Sequence, residues 1–231
     1  MRIALVHYHL RPGGVTSVLA RTCDTLARYG LPHVVLCGEP PEAGSAWNHP
    51  WAVVPELAYG SSWPGPAFLD TLQATARRAL GGPPDLWHMH NHTLGKSLGL
   101  PVAVDRLAQA GQPLLLHLHD FPEDGRPAVY RALPTAGLSL YPCGKRVYYA
   151  VLNQRDHRVL LQAGAPPDRV HVLPNPVQLI ARPRERHPAR VVTYPTRAIR
   201  RKNLGEFLLW SAVGPPETRW QTTLAPRAEV D

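Results

Sequence analysis

Short apolar runs alternate with amphipathic stretches along most of this chain. The first run covers residues 3–6, and a helical periodicity follows from Val15 to Tyr29-Gly30. Parallel strands need a crossover connection, usually a helix, and helices then cover both faces of the sheet. The pattern therefore predicts an α/β fold, a Rossmann-like doubly wound parallel sheet. Further strands are predicted over 33–37, 85–90, 114–119, 148–153 and 169–173, and further helices over 67–80, 98–110 and 154–163.

A change of composition predicts a domain boundary near residue 178. Pro174-Asn-Pro-Val is followed by a basic segment that prolines interrupt, which is typical of a linker. A strand over 190–194, a helix over 203–212 and a strand over 220–224 then restart the pattern. Two strands cannot bury both faces of a parallel sheet. We predict a first domain at 1–178, a linker at 179–189 and the incomplete start of a second Rossmann-like domain at 190–231.

Composition limits the class of protein and its partners. The hydrophobic fraction is 44% and the charged fraction 18%, which indicates a globular chain. No apolar stretch reaches the roughly 20 residues that span a bilayer, so we expect a cytoplasmic protein. The net charge of +8 fits a solvated basic surface, an anionic ligand or peripheral contact with an anionic membrane face. Nucleic acid is not expected, because the basic residues are scattered and no recognition motif occurs.

The three cysteines form no CxxC pair and are far apart. We predict that Cys23, Cys37 and Cys143 are small buried residues in a reducing compartment.

A glycine pair separates the first strand from the first helix. Gly13 and Gly14 let a ligand approach the backbone, and the amino end of a helix favours negative charge. This arrangement fits a phosphate or a sugar hydroxyl, although a tight turn would have the same pattern.

Histidines collect at the predicted carboxyl ends of three strands, where ligands bind in doubly wound sheets. One interpretation is that neutral imidazoles and an acid hydrogen-bond a polyhydroxylated substrate. The other is a zinc site, because His88 and His90 alternate onto one face of a strand. We favour the first and expect no metal, since Asp120 is the only obvious acid nearby. The residues are His7 and His9; His88, His90 and His92; and His117 and His119, followed by Asp120.

A basic cluster follows the strand that opens the second domain. Arg197 and Lys202 precede a predicted helix, where cations and backbone N–H groups can neutralise a diphosphate. A solvated basic helix start is the alternative.

Five short segments, in the same order, resemble the motifs of glycosyltransferase family 4 enzymes of the GT-B fold. The resemblance spans nearly the whole chain. It implies two Rossmann-like domains with a cleft between them, and transfer of a sugar from a nucleotide-sugar donor to an acceptor with retention. It implies no cofactor. The segments are the Gly13-Gly14 loop with its helix, Asp85-Leu-Trp-His-Met-His90, Leu118-His119-Asp120, residues 168–177, and Arg197 with Lys202.

The resemblance also implies roles for individual residues. His119 and Asp120 would be the catalytic residues, and His119 would contact the transferring sugar and face the cleft near the glycine pair. Arg197 and Lys202 would stabilise the leaving diphosphate. The substrate-binding positions would be Gly13, Gly14, His88 and His90.

Two departures from the family pattern affect the expected activity. Thr196 stands where the family commonly has glycine, and its paired donor-binding glutamates have no counterpart. We therefore expect an N-terminal part of a glycosyltransferase that is inactive by itself. The alternatives are a non-catalytic acceptor-binding half that needs a partner chain, and a zinc-dependent hydrolase built on the HxH strand.

Overall fold

The structure of the protein, a computed structural model, describes residues 1–123, 137–177, 190–195 and 202–223. The chain divides into two compact units, Met1–Val177 and Gln178–Asp231. No helix in these described ranges has the length and apolarity needed to cross a membrane.

The first unit contains a seven-stranded sheet in the order β3-β2-β1-β4-β5-β6-β7, with every neighbouring pair parallel. This confirms the predicted doubly wound parallel sheet. The strand order changes direction between β1 and β4, which is the switch point where such sheets bind ligands. The strands are β1 (Ile3–His9), β2 (His33–Glu39), β3 (Trp51–Val53), β4 (Leu86–His90), β5 (Leu114–Leu118), β6 (Val147–Val151) and β7 (Val170–Val172).

Helices cover this sheet because its strands are apolar on both faces. Alternate residues of β1 enter two different clusters: Leu5 packs with Leu19 and Cys23, whereas Val6 belongs to the larger cluster with Leu72. The helices are α1 (Gly14–Arg28), α2 (Phe68–Leu80), α3 (Gly99–Gln109) and α4 (Gln154–Gln162), with 3-10 turns at Pro55–Leu57, His92–Leu94 and Pro167–Arg169.

Two features of the first unit differ from the sequence prediction. The short edge strand β3 was not expected, because three partly exposed residues give no alternation to detect. It pairs with β2 through Val35 and Trp51. The burial expected for the cysteines holds for Cys23 and Cys37 but is wrong for Cys143, which is exposed in the loop before β6.

The second unit is described by three elements: β8 (Val191–Tyr194), α5 (Leu204–Val213) and β9 (Arg219–Thr222). The two strands pair in parallel. No residue of α5 is buried, and Leu209 is 71% and Trp210 59% exposed. The described part of this unit therefore contains a strand–helix–strand unit with an exposed apolar helix.

Candidate active site at the carboxyl edge of the sheet

Three adjacent strands bring histidines to one edge of the sheet. β1 ends at His9, β4 ends at His90, and His119 stands one residue beyond β5. The register pairs His90 with His117. Because β1 and β4 flank the switch point, this edge is where the topology leaves a crevice.

The histidines share one face of the sheet. Their neighbours Trp87, Met89, Leu116 and Leu118 belong to the larger apolar cluster, on the face where α2 and α3 pack. Side chains alternate between faces along a strand, so the histidines lie on the opposite face, where α1 packs against β1. The period of two thus separates the polar edge from the main core.

Four of the imidazoles form a compact group, which we call the histidine tetrad: His88, His90, His117 and His119. His88 Nε2 lies 3.3 Å from His117 Nδ1, and His90 Nδ1 lies 2.9 Å from His119 Nε2. Ring centroids along each strand are 4.2 Å apart. In each nitrogen–nitrogen contact one atom must donate and the other accept, so the tautomers of the paired rings are linked. His119 is the half-buried member, and the other three are buried.

Burial keeps the tetrad uncharged at neutral pH. It lowers the pKa of His88 to about 3 and that of His117 to about 2, and the pKa of His90 falls well below the ordinary value. Burial also lowers the pKa of His119 to about 4, although Asp120 and Asn175 oppose the shift. The tetrad therefore presents neutral hydrogen-bonding groups rather than cations.

His7 and His9 extend this edge along β1. The His7 ring lies 6.4 Å from that of His90, and burial lowers the pKa of His7 to about 3. His9 packs against Tyr59 at a centroid distance of 4.8 Å. In the described part of the chain, one ion pair lies just beyond β1, between Arg11 and Glu39. The positive charge of Arg11 is therefore already neutralised by Glu39.

Asn91 holds the tetrad edge together, a role that we did not predict from the sequence. Its amide oxygen accepts hydrogen bonds from the backbone N–H groups of His119 (2.7 Å) and Asp120 (3.2 Å). Its carbonyl accepts from the Tyr8 hydroxyl, and its own N–H donates to the His117 carbonyl. The residue has a φ of 54°, a left-handed conformation that asparagine tolerates. The sequence feature that could have indicated this role is an asparagine directly after the HxH strand.

The segment that follows β7 also contacts His119. A side-chain hydrogen bond with Asn175 raises the pKa of His119, against the larger effect of burial. Asn175 belongs to residues 168–177, the segment that resembles the end of the family's first domain. Asp120 is exposed beside His119.

The glycine pair is not required by the fold. Gly13 is extended at the start of α1, and neither glycine is buried. A Cβ at Gly14 would meet nothing within 4 Å, and one at Gly13 only the Arg11 carbonyl at 3.8 Å. No side chain caps the amino end of α1, and its first turn has no acidic residue. The backbone there offers N–H groups and a positive helix end to a ligand.

Three tetrad members also meet the geometric requirement for a metal site. The ligand atoms of His88, His90 and His117 lie within 4.8 Å of one another. However, two of these rings already contact each other, and no carboxylate or thiol in the described ranges joins the group. The arrangement fits paired imidazoles as well as a metal.

The basic cluster is described only in part. Lys202 is exposed two residues before α5, and its carbonyl accepts a hydrogen bond from the Tyr194 hydroxyl. The side-chain amide of Asn203 donates a hydrogen bond to the carboxylate of Glu206 in the first turn of α5. Arg197 and Thr196 lie outside the described residues.

A cavity of about 240 Å³ lies apart from the tetrad, beside α4. Its walls include Phe121, Tyr141, Tyr149 and Leu160, and no tetrad residue lines it. The histidine edge is therefore separate from this cavity, and His119 is its partly exposed member.

Comparison with known proteins identifies the family. Residues 13–176 match the family model of the glycosyl transferase 4-like domain. The chain belongs to this family. The matched range includes the glycine pair, the tetrad, Asn91 and Asn175, and it confirms the resemblance that the sequence motifs predicted.

The similarity to individual relatives covers most of this chain but only part of each relative. It is 28% identical over 239 residues to mannosylglucosyl-3-phosphoglycerate synthase of Petrotoga mobilis (strain DSM 10674 / SJ95), across 89% of this chain and 47% of the relative. Crystal structures of Anabaena Alr3699/HepE with UDP-glucose, and with UDP and glucose, are 17% identical with TM-scores of 0.61 and 0.62. Both likenesses cover 96% of this chain and 60% of HepE, and they show the GT-B fold. The chain thus spans about half the length of the curated relative.

Proposed function

We propose that this chain is the acceptor-side part of a retaining glycosyltransferase that uses a nucleotide-sugar donor. The observation that carries the proposal is the placement of His119, a neutral and half-buried imidazole at the switch-point edge, held by His90 and Asn91. Membership of the glycosyl transferase 4-like family supports sugar transfer. The HepE complex with UDP-glucose supports a nucleoside diphosphate sugar as donor.

The tetrad is suited to bind a sugar. Sugar hydroxyls need donors and acceptors, and a neutral imidazole supplies both without the cost of desolvating a charge. His119 contacts the transferring sugar in this proposal, and the exposed Asp120 accepts from a hydroxyl. His90 fixes the orientation of the His119 ring through the 2.9 Å contact, and His88 holds the inner ring pair with His117.

Other groups than the tetrad stabilise the negative charge of the leaving diphosphate in this proposal. As the bond between the sugar and the diphosphate breaks, negative charge grows on the phosphate oxygens. The open N–H groups at Gly13 and Gly14 and the cations Arg197 and Lys202 stabilise that charge in this proposal. No cofactor is needed for these steps.

Donor binding by these 231 residues alone is expected to be weak. The described part of the second unit provides two paired strands and one helix, and the chain spans 47% of the curated relative. We infer a dissociation constant above about 1 mM, near −4.1 kcal/mol, and no transfer by the isolated chain. In the alternative that we keep, this chain is a non-catalytic acceptor-binding half, and a partner chain supplies the donor-binding groups.

Screening of acceptors can begin with the class that the relative's name suggests. The relative's name points to glycosylated phosphoglycerates as a first class to test. The net charge of +8 supports an anionic acceptor of this kind, or one carried at an anionic membrane face in the cytoplasm.

Transfer assays test the proposal directly. Calorimetry with a panel of nucleoside diphosphate sugars, UDP-glucose included, should give no micromolar binding by the isolated chain. Micromolar binding or measurable transfer by it would contradict the weak donor binding that we infer for these 231 residues. The chain is then joined to the C-terminal half of the Petrotoga relative and assayed with the same donors and phosphoglycerate glycosides.

Variants of the joined protein test the role of His119. His119→Ala should lower turnover by about 100-fold or more, with little change in the free energy of unfolding. His171→Ala removes an exposed histidine on β7 and should leave turnover unchanged. The product should keep the donor's anomeric configuration. An inverted product, or equal losses in both variants, would contradict the proposal.

A second candidate function is a zinc-dependent hydrolase, because the ligand atoms of His88, His90 and His117 are close enough to bind one metal ion. It requires tightly bound zinc at His88 and His90, and hydrolysis that a chelator abolishes. Transferase activity that persists after chelation would exclude it.

A further inference from the structure

A second group of metal-ligating side chains lies at the opposite edge of the first sheet. Cys23 comes from the buried face of α1, His33 is the first residue of β2, and His49 stands two residues before β3. Because β2 and β3 begin there, this is the amino edge, whereas the histidine tetrad occupies the carboxyl edge. The family match and the proposed transfer assign nothing to these residues.

The three ligand atoms are close enough to share one ion. The Cys23 Sγ and one nitrogen of each histidine lie within 4.8 Å of one another. Tetrahedral zinc, with bonds of about 2.3 Å to sulfur and 2.0–2.1 Å to nitrogen, needs about 3.3–3.6 Å between ligand atoms. Side-chain adjustments of about an ångström would therefore close the site around an ion.

His33 is oriented as a ligand. Its Nδ1 lies 2.9 Å from the Leu31 carbonyl, which can only accept, so Nδ1 carries the proton. The lone pair is therefore on Nε2, and that atom is buried without a hydrogen-bond partner. Metal-binding histidines are commonly held in this way, with the second ring nitrogen donating to a carbonyl.

His49 is held in place by its own loop. The Trp47 ring packs edge-on against it, 5.5 Å between centroids, and Trp47 Nε1 donates to the His49 carbonyl at 3.0 Å. Asp24 Oδ1 lies 3.3 Å from His49 Nε2 on the solvent side. A carboxylate thus adds negative charge beside the His49 imidazole.

We propose that Cys23, His33 and His49 form a zinc-binding site that is separate from the glycosyl-transfer edge. A thiolate with two imidazoles selects zinc over magnesium or calcium, which prefer oxygen ligands. Binding displaces the proton of the Cys23 thiol to solvent, and Asp24 or a water molecule completes the fourth position. The ion links α1, the start of β2 and the loop before β3, so its role is to stabilise this edge.

Cobalt spectroscopy tests the proposal on the full 231-residue chain. The test protein carries the substitution Cys143→Ser, which removes the exposed thiol. It is first freed of metal and then titrated with Co²⁺. We expect one ion per chain with a thiolate-to-cobalt charge-transfer band and the visible bands of a tetrahedral site. An ion at His88, His90 and His117 would lack the thiolate band, which separates the two sites.

Matched variants identify the ligand. Cys23→Ala should abolish the charge-transfer band, whereas Cys37→Ala, which removes a buried cysteine of the same apolar cluster, should keep it. Zn²⁺ should raise the Tm of the parent and of Cys37→Ala, but not of Cys23→Ala. His49→Ala, in the half-buried loop, gives a second test: the thiolate band should persist with affinity reduced tenfold or more.

Three results with the parent protein and the cysteine variants would overturn the proposal. They are the absence of a charge-transfer band at saturating Co²⁺, a band that survives Cys23→Ala, and an equal loss in Cys37→Ala. Unchanged affinity in His49→Ala would remove that histidine from the site and contradict the proposed ligand set.

Discussion

The amide oxygen of Asn91 accepts a hydrogen bond from the backbone N–H of His119, 2.7 Å away. The same oxygen accepts from Asp120, so one side chain at the end of β4 fixes the turn that follows β5. The imidazole of His119 can then meet His90 at 2.9 Å. The orientation of the proposed sugar-binding residue thus depends on a neighbour that has no chemical role of its own.

Replacement of Asn91 tests this dependence. Asn91→Gly keeps the left-handed backbone and removes the acceptor of two N–H groups, so we expect a loss of about 1–3 kcal/mol in the free energy of unfolding. Asn203→Gly is a matched control, because Asn203 is also left-handed, at a φ of 57°, but lies in the second unit. It should cost only a few tenths of a kcal/mol, as glycine does at helix starts. Urea unfolding measures both, and equal losses would contradict the role assigned to Asn91.

Stability should fall as the pH drops below the ordinary histidine pKa. The folded-state pKa of His7 and of His88 is about 3, whereas the unfolded value is 6.5. Between these values the unfolded chain binds protons that the folded chain cannot, so stability is complete above 6.5 and is lost on acidification. By about pH 5 each such histidine costs about 2 kcal/mol.

Histidine variants test the source of this pH dependence. His7→Gln removes one buried titrating group and should flatten the curve by about 2 kcal/mol between about pH 7.5 and 5. His171→Gln, on an exposed residue, should leave the slope unchanged. Stability that is constant over this range in the parent protein would show that the buried histidines are not held neutral.

Glycine substitutions separate ligand-facing from structural positions. Gly14→Ala meets no atom within 4 Å and should leave stability unchanged or raise it by up to about 1 kcal/mol. It should weaken phosphate binding at α1. Gly38→Ala would place its Cβ 1.9 Å from the Ala58 nitrogen and should destabilise the fold strongly. Thermal unfolding checks the stabilities, and loss of stability in Gly14→Ala would mean that the fold itself requires that glycine.

Peripheral membrane contact by this chain should be electrostatic. The +8 charge predicts binding to vesicles of anionic lipid that weakens as salt rises, because exposed charges are screened over about 10 Å at 0.1 M. Vesicle sedimentation at increasing salt checks this. Binding that salt does not change, or none at low salt, would rule out peripheral contact of this kind.

The sequence predicted the elements of the first unit well, because buried parallel strands are short, continuous apolar runs, and amphipathic helices show an apolar stripe. It also indicated the histidine edge, because His88 and His117 are each followed by a second histidine two residues later, the spacing that places both side chains on one face of a strand. The pairing of particular rings depends on register, which β4 and β5 acquire only in the sheet. The contribution of Asn91 comes from tertiary contacts and has no periodic signal. The strand β3 and the exposure of Cys143 were missed because local composition does not determine burial.

Histidine NMR of the 231-residue chain, titrated with glucose 1-phosphate, tests most directly whether the tetrad edge binds a glycosyl phosphate. Millimolar binding suffices for this measurement. We expect the imidazole signals of His90 and His119 and the amide signal of Gly14 to shift together, while those of His171 stay constant. No shift at the tetrad, or equal shifts at His171, would contradict the assignment of this edge to sugar transfer.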